Sequence, residues 1–116
     1  MKQRDLREIY FRFLNLIQAI DELPGLPKLD ATENQLLNVV SAHWNQKKRL
    51  LVSDAIALRH IGSPATLHAR LRQLREKNLI HYITETDGRK KYIEPTDLAL
   101  KYFERLSQAM VDAACK

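Results

Sequence analysis

One helical face carries residue types that could read nucleic-acid bases. The spacing of Leu67, Leu71 and Leu74 predicts a helix over residues 64–77 that is buried on one side. The opposite side holds Arg72 and Gln73, whose side chains can pair with guanine and adenine edges, beside alanines small enough for close approach. The alternative is an ordinary amphipathic helix whose polar side faces water. The candidates for base contact are Pro64, Ala65, Thr66, His68, Ala69, Arg72 and Gln73.

A basic hairpin follows this helix. Asp87-Gly88 predicts a two-residue turn between strands over residues 79–86 and 89–94. A guanidinium at Arg89 could enter a minor groove and sense its negative potential, with Asp87 bracing it. The alternative is a solvated turn charge. Behind the tip, Lys90 and Lys91 are candidates for phosphate contact, so the hairpin is typical of a DNA-contacting wing.

Basic side chains concentrate in the middle of the chain. Residues 47–91 contain 11 Lys and Arg against 4 Asp and Glu, a net charge of +7, and each flank carries −1. A solvated surface would scatter the two signs, so this concentration favours a polyanion, and double-stranded DNA fits it best. The further candidates for phosphate contact are Lys47, Lys48, Arg49, Ser63, Arg70 and Arg75.

Four elements must precede and position the base-reading helix. Apolar spacing predicts a first helix over residues 4–20, and the segment 23–27, rich in Pro and Gly, breaks it. A second helix is expected from Thr32, with Gln35 as its capping-box partner, to Asn45. It should bury Leu36, Leu37, Val40 and Trp44. A strand over residues 50–52 and a short helix over 54–59, capped by Ser53, complete this part.

Local signals define the ends of the later elements. Ser63 is a good N-cap, Pro64 suits the first helical position, and Asn78 can end the helix in a left-handed conformation. Counting outward from Asp87-Gly88 pairs residue 86 with 89, 85 with 90, 83 with 92 and 82 with 93. Pro95 should end the second strand, and Thr96 should cap a last helix that runs through Ala114.

These elements predict a mainly α protein with a small β-wing, a winged helix-turn-helix. We expect a single domain over residues 1–116, with a three-helix core and terminal helices. Its parts would be an N-terminal dimerisation helix (1–22), the winged helix-turn-helix (30–95) and a C-terminal helix (96–116).

The chain resembles the MarR-like winged-helix regulators, named for multiple antibiotic resistance. The resemblance spans residues 32–100 and rests on Thr32–Gln35, Ser63–Leu67, Arg72–Ile80, Asp87–Arg89 and Pro95-Thr96. It implies a dimeric DNA-binding transcription factor, usually a repressor. It also implies that Ala65, Thr66, His68 and Arg72 approach the major groove and that Arg89 enters the minor groove. Ligand sensing in this family leaves a small-molecule effector open, although no residue here makes one evident.

The terminal helices carry more apolar surface than so small a core needs. Both helices could complete one compact core, but pairing them between two subunits would bury them and set two base-reading helices about one DNA turn apart. We therefore expect a homodimer. The candidate interface residues are Leu6, Ile9, Tyr10, Phe13, Ile17, Tyr102, Phe103, Leu106 and Met110.

Other chemistries find little support. The four histidines (His43, His60, His68 and His81) have no close ligand spacing, so we expect no metal site and no cofactor. No phosphate loop, nucleophile elbow or carboxylate pair points to an enzyme. A lone Cys115 excludes an intrachain disulfide and is expected to be inert. We expect no membrane contact and a cytoplasmic, nucleoid-associated location.

Two alternatives to transcription regulation stay open. Winged helices also serve as protein-interaction adaptors that touch no nucleic acid. A DNA-binding accessory factor for replication or partition would have the same basic surface. The adaptor predicts duplex binding that is weak and insensitive to salt, whereas the DNA-binding readings predict a steep loss of affinity with salt. The sequence names no operator, regulated gene or effector.

Overall fold

Five helices and a small antiparallel sheet make up the chain in a computed structural model that describes residues 3–25 and 27–114. In chain order the elements are α1 (Gln3–Glu22), α2 (Ala31–Asn45), β1 (Leu50–Leu51), α3 (Val52–Ile56), α4 (Pro64–Glu76), β2 (Ile80–Thr84), β3 (Lys91–Pro95) and α5 (Asp97–Ala114). The three strands are ordered β1-β3-β2. The mainly α fold with a β-wing is therefore confirmed.

The described residues form two compact units. One is Pro27–Leu100, which holds α2, the sheet, α3, α4 and the first turn of α5. The other consists of the terminal segments Met1–Leu26 and Lys101–Lys116, with α1 and the later turns of α5. Cys115 lies outside the described residues.

The core of the Pro27–Leu100 unit is built from two helical stripes and the sheet. The predicted leucine stripe of α4 is fully buried, and so are the first three of the four residues expected from α2. The fourth expectation was wrong, because Trp44 is 42% exposed at the end of α2. The buried apolar residues are Leu36, Leu37, Val40, Leu50, Ala55, Leu67, Leu71, Leu74, Leu79, Ile80, Ile93 and Ala99.

The start of α2 differs from the sequence-based prediction. Asp30 is the N-cap: its Oδ1 accepts from the Glu33 amide at 2.7 Å, and Glu33 Oε1 accepts from the Asp30 amide at 3.1 Å. This reciprocal pair is a capping box two residues ahead of the expected one. Thr32 consequently lies inside the first turn of the helix, so its assignment as cap, with Gln35 as partner, was wrong.

The short helix α3 also begins earlier than predicted. Its N-cap is Leu51, in extended conformation, and Ser53 lies inside the helix rather than capping it. Leu51 pairs with Tyr92, so β1 ends there and Val52 already belongs to α3. The helix ends at Ile56, and the buried residue is Ala55.

Both predicted ends of α4 are confirmed. Ser63 caps the helix by accepting from the Thr66 amide at 3.2 Å, and Pro64 occupies the first helical position. Asn78 has φ of 61°, the left-handed stop expected after Lys77. The helix itself ends at Glu76, one residue short of the prediction.

The hairpin has the predicted register and a different turn. Tyr82 pairs with Ile93 and Ile83 with Tyr92, as expected. The loop closes through the Gly88 amide, which donates to Glu85 O at 2.8 Å, and within residues 86–89 positive φ occurs at Gly88 alone (72°). A two-residue hairpin turn needs positive φ at its first residue, here Asp87, which does not have it, so the predicted two-residue turn was wrong.

Strand β3 and helix α5 meet at Thr96. Pro95 was expected to end the strand before it but belongs to β3, where it pairs with Ile80. Thr96 caps α5 as predicted: its hydroxyl accepts from the Ala99 amide at 3.1 Å and donates to Asn78 O at 2.6 Å. Ala99 is buried there, and the neighbouring Leu98 is exposed.

Helix α1 leaves most of its apolar side chains uncovered. Within residues 3–25 and 27–114, no helix is apolar over enough of its length to cross a membrane. In the terminal unit, Arg105 Nη2 donates to Pro24 O at 3.0 Å and so holds the connector that follows α1. The exposed large apolar residues of α1 are Leu6, Ile9, Tyr10, Phe11, Phe13, Leu14 and Ile17.

Candidate nucleic-acid interface

The first two turns of α4 present a small, polar and exposed surface. The Ser63 hydroxyl donates to Thr66 Oγ1 at 2.9 Å, so the cap and the first turn hold each other. Arg72 lies further along the exposed side of the same helix. The predicted base-contact residues that are exposed are Pro64, Ala65, Thr66, His68 and Arg72.

Two other predicted base-contact residues are less available. Ala69 and Gln73 are half-buried, and Gln73 Oε1 accepts from Arg70 Nη1 at 3.3 Å. Arg70 in turn forms an ion pair with Asp30, with 2.8 Å between Nε and Oδ2. The guanidinium expected to touch phosphate is therefore engaged by the N-cap of α2.

Arg75 is anchored on the sheet. Its guanidinium lies 4.1 Å from the centre of the Tyr82 ring, a cation–π contact that holds the side chain along β2. Burial raises the pKa of the Tyr82 hydroxyl, and the neighbouring Arg75 opposes that rise. Arg75 stays exposed, so it can still present charge to a phosphate.

The loop between β2 and β3, together with the first residue of β3, carries three exposed cations. Asp87 Oδ1 accepts from the Arg89 amide at 3.1 Å, so Asp87 braces the backbone of Arg89. Arg89, Lys90 and Lys91 are exposed, and none of them forms an ion pair with another described residue. At the base of the loop, the Tyr92 hydroxyl donates to Glu85 Oε1 at 3.0 Å.

The basic run Lys47-Lys48-Arg49 lies at the other end of the sheet. Leu50 pairs with Ile93, which brings Arg49 level with Glu94. Five residues separate Glu94 from Gly88, and at a rise of about 3.3 Å per residue the six steps between them span at most about 20 Å. The run therefore does not adjoin the wing tip. The amino-acid sequence alone could not reveal this, because it depends on the register between β1 and β3.

A network that sequence reasoning missed joins α2 to α4. Lys77 Nζ donates to Glu33 Oε2 at 2.7 Å and to Lys28 O at 2.9 Å. Glu33 is 3% exposed, so its carboxylate is buried with this one cation and the Asp30 amide. The signal that could have found it is the spacing Asp30-x-x-Glu33, itself a capping box.

The histidines lie apart. His43 Nδ1 is 2.9 Å from Val39 O, and His81 Nε2 is 3.8 Å from a Glu94 oxygen. No three His, Cys, Asp or Glu side chains come together as a metal site within residues 3–25 and 27–114.

Comparison with solved structures shows which known fold this is. No protein-family model matches the chain, and no curated protein matches it. Staphylococcus aureus MepR bound to ethidium bromide has 21% identity and a TM-score of 0.67, over 97% of this chain and 77% of MepR. A MepR–DNA complex has 20% identity and a TM-score of 0.60, over 95% and 75% of the two chains.

A second protein has the same architecture. The heme sensor PefR from Streptococcus agalactiae, in complex with heme, has 16% identity and a TM-score of 0.58, over 95% of this chain and 77% of PefR. MepR and PefR are winged-helix regulators of the MarR family. At these identities the property that the chains share is the fold, and the predicted winged helix-turn-helix is confirmed.

Proposed function

Starting from the winged-helix fold of MarR-family regulators, we propose that this chain is a sequence-specific, double-stranded DNA-binding transcription regulator. Helix α4 enters the major groove and the wing, residues 84–91, contacts the minor groove. The observation that carries the proposal is that α4 and the wing present exposed cations that form no ion pair with any residue that the structure describes: Arg72, Arg89, Lys90 and Lys91.

Each proposed contact depends on whether the side chain is exposed and whether another residue of the chain already binds it. Arg72 is the base-reading cation, because it is exposed, forms no ion pair with another described residue, and carries a guanidinium that can bind guanine through two hydrogen bonds. Thr66 and His68 lie within reach of neighbouring bases, and Ala65 permits close approach. Ser63 places the α4 N-terminus against a phosphate, where free amides and the helix dipole favour an anion.

Some predicted residues take a smaller part in the proposed interface. Arg70 and Gln73 form a hydrogen bond with each other, so we assign them to stabilising α4 rather than to contacting bases. Arg75 contributes a phosphate contact from its position over Tyr82. The run Lys47-Lys48-Arg49 is left out of the proposed duplex interface, because the strand register brings Arg49 level with Glu94, six residues along the chain from Gly88 at the wing tip.

The regulator is proposed to act as a homodimer. Helix α1 exposes Leu6, Ile9, Tyr10, Phe13 and Ile17, and α5 exposes Met110, whereas Tyr102, Phe103 and Leu106 are half-buried. Covering these side chains with a second copy removes apolar surface from water and provides two half-site readers related by a two-fold axis. Sedimentation equilibrium should give twice the chain mass, and Phe13→Glu should shift the population toward monomer.

The proposed mode of regulation rests on the sequence motifs that this chain shares with MarR-like regulators. Regulators of that family are usually repressors, so the resemblance favours repression over activation. A small-molecule effector stays a prediction, supported by the ethidium and heme that MepR and PefR hold in the similar structures. Regulation of transcription also implies a location in the cytoplasm at the nucleoid.

Selection of bound duplexes from a random pool tests the proposal directly. We expect an enriched palindrome whose half-sites are about one helical turn apart, because two α4 helices would read it symmetrically. Affinity for random duplex should fall steeply between low and moderate salt. An unenriched pool together with salt-insensitive binding would reject DNA binding and favour the adaptor alternative.

A further inference from the structure

An exposed tryptophan stands beside the basic run at the end of α2. Trp44 is 42% exposed although a large aromatic side chain is ordinarily covered. It follows His43, and Lys47, Lys48 and Arg49 come directly after the helix. The pairing of a planar apolar surface with several cations lies outside the proposed duplex interface.

The turn that carries these cations is ordered by backbone hydrogen bonds. The Lys47 amide donates to Trp44 O at 2.9 Å, and the Lys48 amide donates to His43 O at 2.8 Å. Lys47 has φ of 60°, a left-handed conformation that costs a lysine about 1 kcal/mol or more. The two lysines are therefore presented in a defined arrangement rather than on a loose loop.

The same residues line a hollow of about 450 Å³. Its lining residues are Trp44, Asn45, Lys47, Lys48, Arg49 and Glu94. This volume is within the range of small-molecule sites. Three cations face one carboxylate, and Arg49 also lies 4.9 Å from the centre of the Tyr92 ring, which fixes its guanidinium at the wall.

Lys47 and Lys48 have no partner among the described residues. No ion pair or side-chain hydrogen bond engages either ammonium in the part of the chain that the structure describes, so both are available to an anion. An aromatic surface flanked by free cations matches a ligand that has a flat ring at one end and a phosphate at the other.

We infer that this hollow, which we call the Trp44 site, binds a nucleotide. The base stacks on Trp44, as bases stack on exposed aromatic side chains in single-strand binding proteins. The phosphate is held by Lys47 and Lys48 through charge-assisted hydrogen bonds, and Arg49 adds positive potential. Glu94 can accept from a base amine or a ribose hydroxyl. The nucleotide is either free or an unpaired residue of a single strand.

Fluorescence tests the inference without a label, because Trp44 is the only tryptophan of the chain. AMP should quench it saturably at low salt, and adenosine and ribose 5-phosphate should each bind at least about fivefold more weakly. Absence of quenching by AMP overturns the inference. Equal affinity for adenosine and AMP overturns it as well, because the cations would then have no role.

Single-stranded oligodeoxyadenylate distinguishes the two sources of the ligand. Tighter binding per site than AMP assigns the site to an unpaired strand, and equal or weaker binding assigns it to a free nucleotide. Either result supports the inference, since both require the base and the phosphate to bind together.

Variants test the two halves of the site separately. Lys48→Ala should weaken AMP about fivefold, the loss expected for one exposed ion pair, whereas Lys101→Ala on α5 should leave AMP binding unchanged. In equilibrium dialysis Trp44→Leu should weaken AMP about tenfold and Trp44→Phe much less, because phenylalanine keeps a stacking surface. Unchanged affinity in Lys48→Ala and Trp44→Leu would overturn the inference.

The proposed nucleotide site and the proposed DNA interface can be tested independently of each other. Arg72→Ala should impair duplex binding and leave quenching by AMP intact, and Lys48→Ala should do the reverse. Loss of AMP binding in Arg72→Ala, or loss of duplex affinity in Lys48→Ala, would show that the basic run belongs to the duplex interface and would overturn the Trp44 site.

Discussion

Glu33 and Lys77 connect the start of one helix to the end of another. Their 2.7 Å contact joins the first turn of α2 to the C-cap of α4, and Glu33 also accepts from the amide of Asp30. Glu33 is nearly inaccessible, whereas Lys77 is partly exposed. Because α4 carries the proposed base-reading residues, this pair fixes the end of that helix against the first turn of α2.

Removing one partner of this pair should cost stability unequally. Lys77→Met leaves a buried carboxylate without its cation, so we expect a loss of about 2 kcal/mol in the free energy of unfolding. Glu33→Gln removes the charge but keeps an acceptor for the Asp30 amide, and should cost about 1 kcal/mol. Urea denaturation measures both, and the double variant should lose less than the sum. Strict additivity would show that the contact carries no coupling.

Arg72→Ala should lower affinity in a sequence-dependent way. At the selected duplex we expect a loss of about 1–3 kcal/mol in binding free energy, with relaxed preference at one base step. The physical reason is the loss of paired hydrogen bonds to a single base. Competition between selected and shuffled duplexes measures it. Equal weakening on every sequence would reduce Arg72 to a phosphate contact.

Lys90→Ala should instead weaken every duplex alike. Removing one phosphate contact should reduce the slope of log affinity against log salt by about one unit. A salt titration with the parent and the variant measures the slope, and Lys48→Ala, at the far end of the sheet, is the matched control that should keep the parental slope. An unchanged slope for Lys90→Ala would remove the wing from the interface.

The two left-handed positions around the hairpin should respond in opposite directions. Gly88 has φ of 72° with open space around its Cα, so Gly88→Ala should lower stability by about 1 kcal/mol through backbone strain alone. Asn78 has φ of 61°, so Asn78→Gly relieves strain and should change stability little or raise it slightly. Thermal unfolding measures both, and a neutral Gly88→Ala would exclude a strained loop.

Alkaline pH should destabilise the fold through Tyr82. Burial holds the pKa of its hydroxyl above the usual 10.0, with Arg75 opposing. Below pH 10.0 the hydroxyl is neutral in both the folded and the unfolded chain, and its contribution to the free energy of unfolding is fully present. As pH rises further the unfolded chain ionises first, so stability falls until the folded chain ionises too. Tyr82→Phe should flatten this fall in pH-dependent denaturation.

Local chemistry determined which parts of the fold could be predicted. The ends of α4 follow from single residues with one strong role, Ser63, Pro64 and Asn78, and its leucines have one possible face. The hairpin register follows from the position of Asp87-Gly88, from which the pairs are counted outward, and a shift by one residue would invert the two faces. These predictions needed no knowledge of distant contacts.

The wrong predictions arose where two local solutions compete. Asp30 with Glu33 and Thr32 with Gln35 are both plausible capping boxes, and the contact of Glu33 with Lys77, 44 residues away, favours the first. A type I′ turn and the observed turn both accept Asp-Gly. Trp44 fits the helical spacing of α2, but its burial depends on what lies beyond the last turn.

The sequence predicted which residues belong to the candidate site, but not which of their side chains are free to bind a ligand. Which polar side chains face water on α4 followed from periodicity, and the exposed members include Arg72 and Thr66. That Arg70 is held by Asp30, and that the basic run adjoins Glu94, depends on tertiary packing and register. No spacing rule within one helix contains that information.

The hydroxyl of Thr96 joins two helices. Its oxygen accepts from the amide of Ala99 and donates to the carbonyl of Asn78, so the end of α4 and the start of α5 share a single atom. Loss of this one oxygen would therefore leave a carbonyl after α4 and an amide at the start of α5 without their partner at the same time.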